Sequence, residues 1–251
     1  MFTNEHRYFI QYMLENSYIS LEEASEVYKS IPGEKNHKSK SLEQLIHTIN
    51  EKICKQELRI VTAKCDLTNE DNVILINTSS DNLTRRLRAF TPSELLYFQI
   101  IIKEIITTEG QKIPYHICLN LSKSDAISLK ADDAENVLEK WLSMGYFIKI
   151  EKNIHLGSRS IVELIPFFHQ YYKDYIKKCY LCSDLVFSGH ICDICKEEFH
   201  KVCIRKFLVK HQNCPNCINR NESRYRCENE SIDEDDSMSI PSTSRKKKRL
   251  D

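Results

Sequence analysis

The strongest constraint on this chain is a spacing. From Cys179 to Cys217 eight metal-ligating side chains follow in the order C-x2-C-x9-C-x2-C-x4-H-x2-C-x10-C-x2-C. Each C-x2-C lets two thiolates converge on one ion, so four ligand pairs suffice for two tetrahedral zinc ions. A segment of 39 residues cannot bury enough apolar surface to fold unaided, and metal binding is expected to supply its folding free energy. The chain has 11 cysteines, an odd total, with most of them inside this segment. In a reducing compartment that clustering points to metal rather than to disulfides. His190 and His211 lack a partner at ligand spacing and read as solvent-facing loop residues. Cys54, Cys65 and Cys118 lie in apolar-periodic segments and read as small core residues, and Cys227 as a free thiol in a polar tail.

Elsewhere the composition narrows the options. Lys plus Arg equals Asp plus Glu at 36 each, so no global field draws the chain to nucleic acid or to a membrane. The N-terminus has no basic region followed by an apolar run, and LLYFQIIIKEII is too short and too polar to span a bilayer. An intracellular protein without membrane association is expected.

Residues 4–77 combine helical periods with a closing hairpin. NEHRYFIQYMLEN places Phe9, Ile10, Met13 and Leu14 at helical spacing behind a cap at Asn4. SLEEASEVY and SLEQLIHTINEKIC open on Ser20 with Glu23 and on Ser41 with Gln44, the signature of a capping box. The second of these puts Leu45, Ile46, Ile49 and Ile53 on one face. The period then changes to two, and RIVTAK, TNEDN and VILIN read as a β-hairpin. The order recurs. Thr91, Pro92 and Glu94 start a helix, IPYHICLNL supplies a second, and ADDAENVLEKWLSMG a third. That third helix carries Ala134, Val137, Leu138, Trp141 and Leu142 on one stripe, with Gly145 as its stop. YFIKI, EKN and IHL close a second hairpin.

The expected fold class is therefore α+β multidomain. Two tandem winged-helix domains (1–80 and 88–157) are followed by a connecting helix (158–178, interrupted at Pro166), a zinc domain (179–220) and a disordered tail (221–251). The tail ends in RKKKR, Arg245 to Arg249, a nuclear-import type of run.

The ligand order resembles the cross-braced RING and PHD families. In both, the first and third pairs share one ion and the second and fourth share the other. The resemblance assigns Cys179, Cys182, His200 and Cys203 to a first zinc, and Cys192, Cys195, Cys214 and Cys217 to a second. Histidine at the fifth ligand is the order of PHD fingers and of RING variants. A PHD reader carries an aromatic residue two positions before the seventh ligand, where this chain has Gln212. Only ten residues separate Cys203 from Cys214, short for a PHD finger. RING domains that bind a ubiquitin-conjugating enzyme place an aliphatic residue before the second ligand, an aromatic four after the sixth and a proline after the seventh. Leu181, Phe207 and Pro215 match, so a RING-like domain with those three as conjugating-enzyme contacts is expected. Active RING ligases often have an arginine after the eighth ligand; here it is Ile218, which implies weak, partner-dependent activity.

Tandem winged helices leading into a RING variant with histidine at the fifth ligand resemble the non-SMC element one subunits of the SMC five–six complex. VLEKWLSMGYFIKIEKNIHLGSRSIVEL running into the zinc segment is the most specific stretch. The resemblance implies a nuclear E3 ubiquitin-protein ligase subunit acting in recombinational DNA repair. It would have no covalent catalytic residue, and its winged helices would dock a MAGE-domain subunit and a kleisin-like subunit. The alternative is a structural zinc and winged-helix assembly subunit without ligase activity. The third helices carry Asp132, Asp133, Glu135 and Glu139 against Lys140, and Glu43 and Glu51 against Lys52 and Lys55. That balance disfavours a DNA groove, so DNA contact is expected to be weak or indirect, and the arginines of TRRLR read as a solvated linker.

Overall fold

The computed structural model describes residues 2–31, 41–79, 89–124, 127, 129–187 and 189–219. The expectations for the tail beyond 220, the run at 245–249, Cys227 and the TRRLR arginines fall outside these residues.

Helix α1 (Asn4–Glu15) leads to a short strand β1 (Tyr18–Ser20), helices α2 (Leu21–Ser30) and α3 (Leu42–Ile53), and a hairpin of β2 (Leu58–Lys64) and β3 (Asp71–Asn77). The sheet is antiparallel in the order β1-β3-β2. The same path repeats. Helix α4 (Pro92–Thr107), β4 (Lys112–Pro114), α5 (Tyr115–Leu121) and α6 (Ala131–Ser143) precede β5 (Phe147–Ile150) and β6 (Asn153–Leu156), with sheet order β4-β6-β5. A helix, one short strand, two helices and a hairpin make a winged-helix unit, and the chain has two in tandem.

Local chemistry sets the element boundaries. Ser20 accepts the Glu23 amide at 3.0 Å and Ser41 the Gln44 amide at 3.2 Å. Thr91 and Glu94 close a reciprocal box at 3.3 and 2.6 Å, satisfying donors that a helix N-terminus leaves unpaired. Three expectations are corrected. The cap of α1 is Thr3, not Asn4, and His6 accepts the Thr3 amide at 3.1 Å. Leu14 is exposed, because α1 turns His6, Phe9 and Met13 inward. Cys54 is exposed too; α3 ends at Ile53 and Cys54 enters a 3-10 turn on the surface, whereas Cys65 and Cys118 are buried. Strands β1 and β4 escaped the sequence reading because three residues show no alternation.

The second unit is built around Trp141, fully buried on α6. Its indole lies 5.0 Å from the Phe98 ring, which also meets Tyr146 at 5.4 Å and Phe147 at 5.1 Å. Replacing Trp141 with alanine is expected to destabilise this unit by about 3–5 kcal/mol through the cavity it leaves. Urea unfolding followed by tyrosine fluorescence would measure the loss, and a shift below about 1 kcal/mol would contradict this packing. Helix α6 stops at Gly145, whose φ of +74° suits glycine. The Tyr18 ring of the first unit occupies the space that a side chain at 145 would need.

The connecting segment is two short helices rather than one, α7 (Ser158–Glu163) and α8 (Ile165–Tyr171), with Pro166 in the first turn of α8. Proline is compatible with a helix start but not its interior, so the break falls just before it. Helix α7 carries the joint between the winged helices. Arg159 Nε meets Glu163 Oε2 at 2.9 Å, with 8% and 2% of their side chains exposed. Arg159 Nη1 donates to Ser17 Oγ at 2.6 Å and Nη2 to the Leu75 carbonyl at 3.3 Å, both in the first unit. Its guanidinium also lies 4.5 Å from the Tyr146 ring centre of the second unit. Glu163 accepts the Asn77 amide at 3.2 Å and the Tyr146 hydroxyl at 3.0 Å. The pair thus holds both units from within a buried seam.

From within α8, Phe168 packs on Phe187 at 5.4 Å. Leu185 and Phe187, from inside the cysteine segment, share one apolar core with the second winged helix. The first winged helix has a separate core.

Candidate metal centres and the surface they support

The cysteine segment folds as two small hairpins and two helices. Strands β7 (Lys177–Lys178) and β8 (Leu185–Val186) pair around the first C-x2-C, and β9 (His190–Ile191) and β10 (Glu198–Phe199) around the second. The two knuckles are built alike. In the first, Ser183 N–H bonds to the Cys179 carbonyl at 2.8 Å and Cys179 N–H to the Asp184 carbonyl at 2.8 Å. In the second, Lys196 and Cys192 repeat these bonds at 2.9 Å each, the latter to Glu197. Both turns pass through a left-handed residue, Ser183 at φ 66° and Lys196 at φ 58°, a conformation that costs about 1–2 kcal/mol for a residue with a side chain.

The other ligands come from helices. His200 is the N-cap of α9 (Lys201–Leu208), and Cys203 lies one turn in, on the same face. Cys214 immediately precedes α10 (Pro215–Asn219), and Cys217 repeats the three-residue step.

These elements gather the eight side chains into two groups. Cys179, Cys182, His200 and Cys203 form one, and Cys192, Cys195, Cys214 and Cys217 the other, with ligand atoms in each within 4.8 Å of one another. First pair joins third and second joins fourth, so CDICKEEFHKVC straddles both centres. Within the second group Cys192 and Cys217 sulfurs are 3.7 Å apart and Cys195 and Cys214 sulfurs 3.5 Å. In the first, His200 Nδ1 lies 3.2 Å from Cys182 Sγ and 3.8 Å from Cys203 Sγ. A tetrahedron of zinc–sulfur bonds near 2.3 Å has edges of about 3.8 Å, so both groups fit zinc in size and donor type. The ring of His200 is oriented by its far nitrogen, Nε2, which donates to the Leu185 carbonyl at 2.8 Å and leaves Nδ1 for the metal.

Burial and local amides shape the thiols. Burial pushes Cys179 up, but hydrogen bonds from the backbone of Cys182, His200 and Leu181 outweigh it and hold it at about 7. Cys192 likewise rests at about 7, burial being outweighed by the amides of Cys195 and Ile194. Each knuckle thus presents one thiol readily ionised for metal capture. The second centre is the more enclosed; in the first, Cys182 is exposed and His200 and Cys203 half-buried.

The three expected surface residues are not equivalent. Leu181 is 37% exposed at the tip of the first knuckle. Phe207 is half-buried and stacks on His211 at 4.3 Å. Pro215 is buried at the start of α10 and adds no open area. The sequence reading missed Ile194, 38% exposed at the position of the second knuckle that Leu181 occupies in the first. The parallel between CYLC and CDIC is the signal that would have found it. Ile218 is 39% exposed after the last ligand. His190 and His211 belong to neither metal group. No described helix is long and apolar enough to cross a membrane.

Residues 6–117 match the family described as Nse1 non-SMC component of SMC5-6 complex, and residues 179–217 match a RING-like domain. Similar proteins include the Drosophila melanogaster non-structural maintenance of chromosomes element 1 homolog, 27% identical over 221 residues, covering 85% of this chain and 93% of the relative. The Homo sapiens homolog of that description is 24% identical over 225 residues, covering 86% and 83%. A chain of a solved structure, described as an Nse1-Nse3-Nse4 complex, shares the fold, with a TM-score of 0.73 at 18% identity and coverage of 86% and 95%. Two repeated winged-helix units, a cross-braced pair of zinc-type centres and these likenesses agree: the chain carries an Nse1-family domain of the SMC5-6 non-SMC components over residues 6–117 and a RING-like domain over residues 179–217, and resembles Nse1 homologues along most of its length.

Proposed function

We propose that this chain is a RING-type E3 ubiquitin ligase subunit of the SMC5-6 complex, nuclear and acting in DNA repair by homologous recombination. The observation that carries the ligase reading is the pair of zinc knuckles, each presenting an exposed aliphatic residue, Leu181 and Ile194, above a fixed metal centre. Such a surface is suited to an apolar loop of a ubiquitin-conjugating enzyme. The domain itself breaks and forms no bond. Zinc, when bound, supplies rigidity; the side chains around it hold the conjugating enzyme so that its thioester meets the acceptor amine in a reactive pose.

The winged helices are proposed to dock a MAGE-domain subunit and a kleisin-like subunit, in keeping with the Nse1-Nse3-Nse4 complex in which the solved relative is found. Their third helices suit a protein partner better than a DNA groove. On α6 the exposed face is acidic, and the Tyr115 hydroxyl shares its one proton between Glu135 at 3.2 Å and Glu139 at 3.0 Å. Carboxylates there repel phosphates.

The structural-assembly reading draws on Ile218, which stands where a ligase arginine is wanted, and on buried Pro215. A reconstituted ubiquitination assay, with and without the MAGE-domain partner, decides between the two. Transfer is expected to be slow alone and accelerated by the partner. Leu181→Ala is expected to lower it about tenfold or more, as truncating an interface anchor does, with zinc content unchanged. Absence of transfer with every conjugating enzyme tested, while the complex assembles normally, would leave the assembly role.

A further inference from the structure

The two metal centres differ in what stands behind them. The second is enclosed by the RING-like segment, whereas the first reaches out to the first winged helix. Behind His200, on the side away from the sulfurs, lies Asp66 at the base of the β2–β3 wing. Its carboxylate Oδ2 is 3.6 Å from His200 Nε2, the nitrogen that also meets the Leu185 carbonyl at 2.8 Å. Only 21% of the Asp66 side chain and 11% of the His200 side chain are exposed. The wing tip is held firmly, since Cys65 N–H bonds to the Glu70 carbonyl and Asn69 N–H to the Cys65 carbonyl, both at 2.8 Å. Beside it runs a seam lined by Leu67 of the wing, Leu156 of the second unit, Ile161 of α7 and Phe187 of the RING-like segment.

We propose that Asp66 is a positioning residue for the first zinc, and that docking of this wing and occupancy of that centre form one coupled equilibrium. The Nε2–H itself bonds to the Leu185 carbonyl, and the Asp66 carboxylate at 3.6 Å acts as a partly buried negative charge beside it, polarising the imidazole so that Nδ1 is the better ligand. Here the carboxylate comes from a domain more than a hundred residues upstream. By linkage, whatever the wing adds to metal affinity, the metal adds to wing docking. The first zinc is therefore a joint between domains, and the second a staple within one.

The test uses the full chain loaded with cobalt, whose visible absorption separates a three-sulfur, one-nitrogen site from a four-sulfur site. Chelator titration of Asp66→Asn is expected to empty the nitrogen-containing site at about tenfold lower chelator concentration than in the parent, with the four-sulfur site unchanged. Asp66→Glu is expected to recover most of the difference. Leu67→Ala, which loosens the seam but keeps the carboxylate, separates packing from charge and should shift the nitrogen-containing site less. In the reciprocal arm, His200→Ala is expected to speed amide exchange over residues 65–70. Unchanged release in Asp66→Asn, equal weakening of both sites, or wing exchange insensitive to His200→Ala would each overturn the proposal.

Discussion

Replacing Cys192 with serine is expected to cut bound zinc from two ions to one or none per chain and to unfold the RING-like segment around the second centre, leaving both winged helices folded. Serine keeps the size of the side chain but is not a thiolate. The loss therefore falls on metal affinity, where a structural site contributes on the order of 10 kcal/mol. Little else can compensate. The core of the segment consists of the ligand cysteines with Val186, Phe199 and Ile204. Cross-bracing spreads the damage, because the loop from Cys192 to Cys203 serves both centres. The first winged helix should survive because its core is built from other residues, and the second because only Leu185 and Phe187 of its core come from the RING-like segment. Elemental analysis for zinc, together with amide exchange resolved by segment, would measure this. Full retention of two ions in the serine variant would refute Cys192 as a metal ligand. A chelator should reproduce the effect on the parent chain, and re-added zinc should reverse it.

The second large effect is expected at the joint of the winged helices. Arg159→Ala should destabilise the folded chain by about 3–5 kcal/mol, the range for breaking a buried ion pair by removing one partner. Alanine leaves Glu163 charged in a buried seam without its guanidinium, and the Tyr146 hydroxyl and Asn77 amide that face it are neutral donors. It also takes a donor from the Ser17 hydroxyl and the Leu75 carbonyl. The cheaper outcome for the molecule is to part the two units and let water in, so small-angle scattering should show a larger radius along with the lower stability. The double variant Arg159→Met with Glu163→Leu should recover part of the loss, since an apolar pair in such a seam carries no unpaired charge. Urea unfolding of the two variants and the parent completes the comparison. A change under about 1 kcal/mol in Arg159→Ala would show that the joint rests on other contacts.

The sequence was most legible where one local rule governs. Ligand spacing placed the metal pairs, and the family resemblance supplied their cross-braced partnering, which the geometry repeats. Capping chemistry at Ser20, Ser41 and Thr91 located helix starts, and the stripe from Ala134 to Leu142 predicted the buried face of α6, with Leu142 only partly buried. Legibility failed where tertiary contact decides. Leu14 sits at a helical spacing as good as that of Met13, and only the packing of α1 separates them. Arg159 and Glu163 look like a surface pair four residues apart until a neighbouring domain covers them. Pro215 matches a family position that is expected on the surface, yet it lies buried at the base of α10. Asp66 carries no local signal at all; its relation to His200 exists only because the chain folds back across the seam.

The shared core of Phe168 and Phe187 has a consequence for reach. A zinc domain on a loose tether sweeps a volume, and what it touches depends on tether length and local concentration. Here Phe187 is pinned in the same apolar mass as the second winged helix, so the zinc domain sweeps nothing. Whatever is held on the winged helices is presented to the knuckles at one distance and in one orientation. On the ligase reading proposed above, selection among acceptors is then a matter of position rather than of chance encounter.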